Sequence, residues 1–170
     1  GDEKGIHRVM GTTLMLSAFV STLFFCVAFF FPAEIIALYT KDPLVIEAAA
    51  SYLKIVAWSY LPTAISFAYS MQLRAVSKAS LSMFTCSIAL FTNGFLNWVL
   101  IYGKLGFPAM GIEGAAIATM IARSVECAIN VASVYLLKYP LASKLRELFD
   151  FDRELFAKYL KVSMPVLINE

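Results

Sequence analysis

The apolar positions of this chain run in long blocks, and the charged positions fall between them. Val9 to Ala33, Ile55 to Leu73 and Ala79 to Gly103 carry no charged residue, and each reaches the ~20 residues with which a helix crosses a ~30 Å hydrocarbon core. A fourth block, Gly111 to Leu137, is as long but carries a polar stripe. The separators read as turns: Thr40 to Pro43 (TKDP), Gln72 to Ser80 (QLRAVSKAS) and Lys104 to Met110 (KLGFPAM). The pattern predicts an all-α, polytopic membrane helix bundle. Its first span runs from Val9 towards Pro32 after a polar loop, Gly1 to Arg8, and Ala33 to Tyr39 continues it with a bend into the interface. The second starts near Leu44, because Asp42 ahead of Pro43 is set against helix.

The fourth block has the most differentiated faces. Gly114, Ala118 and Ala122 recur every four residues, leaving one face nearly bare so that a neighbouring helix can approach closely. Thr119, Arg123, Glu126 and Asn130 are spaced by four, three and four, which at roughly 100° per residue places them within about 60° of one another. On a membrane helix such a stripe faces a bundle interior or an aqueous cavity. Arg123 and Glu126, three apart, are positioned to pair within the bundle as a structural pair.

Two more features lie inside apolar runs. Pro62 withholds an amide from the carbonyl of Trp58, so a kink is expected in the second span, either for packing or to bring irregular backbone to membrane depth. Asn93 and Asn97 share a face of the third span. Their amides can bridge helices or offer oxygens to a cation.

Beyond Leu137 the character changes. Residues 138–161 hold six Lys/Arg among Leu145, Leu148, Leu155 and Phe156, an amphipathic pattern suited to a membrane surface. Asp152 is a fair N-cap for a helix that enters the bilayer near Val162. The organisation read from this is a partial lobe of four spans over 1–137, an amphipathic connector over 138–161, and the start of a further spanning helix over 162–170. The chain opens on Gly1-Asp2 and stops at Glu170 inside an apolar run, so more polypeptide is expected on both sides.

Composition sharpens the class. The chain is 60% hydrophobic and 15% charged with mean hydropathy +0.74, well away from the roughly 45–50% apolar and 25% charged of soluble domains. A net charge of +2, with aromatics held in apolar runs, argues against nucleic acid. Cys26, Cys86 and Cys127 fall one to a helix without a CxxC or a histidine partner, so no metal site or cofactor follows. The single histidine, His7, lies in the charged opening loop, which removes the usual general base from an intramembrane hydrolase. A purely structural subunit leaves unexplained why ionisable and amide groups are kept at depth. Basic residues also assign sidedness: the first, third and fifth loops hold ten Lys/Arg against two in the second and fourth, which places the former in the cytoplasm.

These residues resemble the multidrug and toxic compound extrusion (MATE) transporters. The likeness is carried by GDEKGIHRV at the start, YLKI at Tyr52 to Ile55, LRA at Leu73 to Ala75 and, most specifically, LNWVLIYGKLGFPAMGIEGAAIAT from Leu96 to Thr119. It covers essentially the whole chain. It implies that the four spans are the third to sixth of a twelve-helix protein, in its N-terminal lobe, and that 138–161 links two six-helix lobes. It further implies export of an amphipathic, usually cationic, small molecule by antiport against Na⁺ or H⁺, with a lipid-linked oligosaccharide flippase of the same wider superfamily as the alternative. The setting implied is an integral protein of a bacterial inner membrane. Family members with a cation site in the first lobe use a first-helix carboxylate, polar residues four apart on the fifth helix and a threonine in the sixth; Asn93, Asn97 and Thr119 match the last two groups. Some relatives have aspartate where this chain has Asn97, so the acid would come from a helix before Gly1. Glu170, five residues after the kink-forming Pro165, matches the family's acidic seventh-helix position less closely.

Overall fold

The computed structural model describes residues 3–137 and 139 of the chain, with side chains from residue 9. The expectations placed on Pro165, Glu170, the connector 138–161 and the segment 162–170 lie outside the described residues.

Six helices follow one another: α1 (Glu3–Phe30), α2 (Pro32–Ala37), α3 (Pro43–Ala57), α4 (Tyr60–Ala75), α5 (Ala79–Tyr102) and α6 (Gly111–Leu136). α1, α5 and α6 are each long and apolar enough to cross a membrane, and α3 and α4, bent by 51° at their junction, reach that length and apolarity as a pair. This is an all-α membrane bundle, as the charge-free blocks predict. Two boundaries differ from the reading. The opening loop is helical from Glu3 onward, since residues 3–8 contain no proline and one glycine and extend the span behind them at little cost. The end of the first span does not bend smoothly. α1 stops at Phe30, Phe31 leaves helical geometry at φ −125°, ψ 43°, and Pro32 starts α2 at its first turn, where a missing amide costs nothing.

The second span breaks one turn ahead of its proline. The amides of Trp58 and Ser59 turn back to Ile55 and Val56, an i→i−3 pattern, before Thr63 resumes α-helical bonding to Ser59 at 2.9 Å. Pro62 is thus the third residue of α4, and the carbonyl that it cannot satisfy, that of Trp58, falls at the elbow. Trp58 also closes edge-on against Phe25 and Phe29 of α1, with centroids 5.0 and 6.0 Å away. At the start of α3, Asp42 caps the helix by accepting from the Leu44 amide at 3.0 Å.

Apolar packing concentrates at the two ends of the bundle. Met10, Tyr69, Leu73 and Val134 cluster where α1 begins and α4 and α6 end, and Val99, Leu100 and Ala118 cluster where α5 ends and α6 begins. The ends therefore alternate from one side of the bundle to the other. The bare face of α6 is where closest approach occurs: Gly114, Ala118 and Ala122 are all buried, and a Cβ on Gly114 would stand 2.8 Å from the backbone of Leu100. The α5–α6 turn is as tight. Gly103 ends α5 at φ 65° and Met110 donates to the Leu100 carbonyl at 2.9 Å. Outward faces keep large apolar side chains exposed, among them Phe19, Phe24, Phe84, Leu90 and Phe91, as lipid or further protein requires.

Candidate functional site

Between the two apolar ends, α6 presents Thr119, Arg123, Glu126 and Asn130 in descending order along roughly 16 Å of helix. Each meets a different partner. Asn97 donates through Nδ2 to Asn93 Oδ1 at 3.0 Å, Asn93 Nδ2 donates to Thr119 Oγ1 at 3.3 Å, and Thr119 donates to the Ala115 carbonyl at 2.9 Å. The structure thus brings together three of the residues singled out as cation-coupling candidates. All donors in this chain of bonds point one way, and the cost appears at its start: Asn97 Oδ1 is buried without a hydrogen-bond partner. A buried amide oxygen without a donor loses on the order of 1–3 kcal/mol. A cation or a donated proton from a neighbouring group recovers it. Thr119 Oγ1 and Asn93 Oδ1 each accept one hydrogen bond and retain a further lone pair.

A pocket of about 280 Å³ opens between α5 and α6, and Asn93, Thr119, Cys86, Leu90 and Arg123 are among its walls. Arg123 donates to Glu126 Oε2 at 2.8 Å. The pair expected from sequence forms, and its two members are unequally exposed. Glu126 is buried, but the Arg123 side chain is 45% exposed and reaches the pocket, because its length carries the guanidinium past the helix face that the shorter glutamate occupies.

Asn130 is wholly buried and ties three helices. Its Nδ2 donates to Ser66 at 2.8 Å and Ser70 at 3.1 Å on α4, and Thr85 of α5 donates to its Oδ1 at 2.7 Å. Ser66, Ser70 and Thr85 were not singled out from sequence. Ser66 and Ser70 are four apart on α4, the same signal that marked Asn93 and Asn97. Among the described residues no group of His, Cys, Asp and Glu is arranged to hold a metal ion.

Comparison with known proteins bears on what these helices belong to. The MatE family profile matches residues 1–99. "Probable multidrug resistance protein YoeA" of Bacillus subtilis is 30% identical over 172 residues, covering 99% of this chain and 37% of that protein. "Probable multidrug resistance protein NorM" of Thermotoga maritima is 26% identical over 76% of this chain and 28% of its own length, and that of Rhizobium meliloti 31% identical over 78% and 27%. The chain therefore spans about a third of the length of these curated relatives or less. No solved structure matches it significantly. Three helices long and apolar enough to cross a membrane, a relative 30% identical over nearly the whole chain and a profile matching more than half of the sequence converge: the chain belongs to the MatE family of multidrug and toxic compound extrusion transporters, as an integral membrane protein.

Proposed function

We propose that the chain forms part of the N-terminal lobe of a secondary active transporter, not an enzyme, which exports amphipathic or cationic small molecules from a bacterial cell across the inner membrane by antiport. The names of the relatives, which concern multidrug resistance, support the substrate class. The observation that carries the coupling is the unsatisfied Asn97 Oδ1, joined through Asn93 to Thr119. Neutral oxygens on two helices, completed by a carboxylate from a helix before Gly1, suit a hard monovalent cation, and Na⁺ is favoured over H⁺ because a proton needs only the acid. The flippase alternative draws no support from the comparisons; of the two membrane-depth cations among the described residues, Lys54 and Arg123, the second is neutralised by Glu126.

In vesicles containing the full-length transporter, Asn97→Ala is expected to weaken ion-driven efflux more than it weakens substrate binding. Equal losses in both would reduce the asparagines to interhelical bonding and sink the ion-site reading.

A further inference from the structure

Arg123 shares a pocket with Asn93 and Thr119, two of the three residues that would hold a cation. Arg123 lies one helical turn from Thr119, and both line the cleft that Asn93 completes. An unopposed positive charge about 6 Å from a cation in a partly buried site weakens binding by about tenfold or more. The opposing charge is Glu126, on the same helix, bonded at 2.8 Å to Arg123 and itself buried, its side chain 11% exposed against 45% for the arginine. The asymmetry sets the roles. Arg123 lines the pocket, and Glu126, which is not among its walls, is paired with it.

We propose that Glu126 is a positioning residue for the coupling ion: by pairing with Arg123 it draws the guanidinium off the Asn93–Thr119 oxygens and cancels its charge there, so that the pair sets the cation affinity of the pocket. This rests on the ion-site reading above. It assigns the pair a part in ion selectivity beyond bracing α6. The arginine side chain is 45% exposed and is one of the pocket's walls, where its charge bears on whatever the pocket holds.

The test is equilibrium binding of radioactive Na⁺ to the purified full-length transporter. Glu126→Gln is expected to raise the dissociation constant for Na⁺ by about tenfold, Arg123→Gln to lower it, and the double variant to return within about threefold of wild type. Wild-type affinity in Glu126→Gln, or a double variant as weak as Glu126→Gln alone, overturns the proposal. Should Glu126→Gln fail to fold, Arg123→Gln decides: tighter binding supports the proposal, and unchanged or weaker binding overturns it. Asn97→Ala separates the two ideas. Loss of Na⁺ binding there sustains the ion site even where the Glu126 variants behave as wild type, in which case this inference falls alone; binding undisturbed by Asn97→Ala, or absent from the wild type, overturns both.

Discussion

Gly114 of α6 lies against the carbonyl of Leu100 on α5 so closely that a side-chain carbon would stand 2.8 Å from both the carbon and the oxygen of that group. The neighbour is backbone, not the tip of a flexible side chain, so it yields only by moving the helix. Ala118 and Ala122 extend the same contact along α6, buried to 0% and 3% exposure.

Gly114→Ala is therefore expected to destabilise the full-length protein by about 1–3 kcal/mol, the cost of overpacking a closed helix pair. Gly94, on α5, offers the control: a Cβ there meets nothing within 4 Å, and Gly94→Ala is expected to be neutral or stabilising by up to about 1 kcal/mol, since alanine is the better helix former. Thermal melts of the two variants in one detergent check the contrast. A Gly114→Ala protein as stable as Gly94→Ala would mean that the helices do not touch there.

Asn130 should behave as a tie between helices. Replacing it with leucine strips the hydrogen-bond donor from Ser66 and Ser70 and one acceptor from Thr85, which keeps its second bond to the Ser82 carbonyl at 3.0 Å. Interhelical hydrogen bonds in membranes average ~0.6 kcal/mol and reach ~1.7 kcal/mol, so a loss of about 1–3 kcal/mol is expected from two or three of them. The measurement is the midpoint of unfolding in mild denaturant. Asn130→Leu with an unaltered midpoint would show the network to be energetically idle.

Sidedness has its own check. With the three native cysteines replaced, a cysteine at Leu105, exposed in the α5–α6 turn, is expected to react with an impermeant thiol reagent in intact cells, and one at Ser77, exposed in the α4–α5 turn, only after permeabilisation. The opposite pattern would invert the topology.

What could be read in advance was what a one-dimensional string contains. A charge-free run long enough for a bilayer announces a span without reference to any partner, and Gly114, Ala118 and Ala122 announced a close approach because their spacing alone makes the face bare. Asn93 and Asn97 were visible for the same reason. The partners of Asn130 were not, since Ser66 and Thr85 stand 64 and 45 residues away and serine and threonine hydroxyls hide easily in an apolar run by bonding to their own helix, as Ser87 does to the Met83 carbonyl. The elbow of the second span was foreseen from Pro62, and it falls at Trp58 because the proline's effect is exerted on the carbonyl four residues back. The exposure of Arg123 depended on the reach of its side chain, which spacing does not record.

The closed turn between α5 and α6 has a consequence for motion. With Gly103 in the left-handed region, the Met110 amide on the Leu100 carbonyl and Gly114 pressed to the same residue, the two helices form one lever arm: any shear between them breaks backbone bonds rather than swapping side-chain rotamers. Relative movement of the described helices is then expected at the 51° elbow of α3 and α4, and spin labels on Phe91 and Ser124, both exposed, should report a single separation whatever ion or small molecule is added.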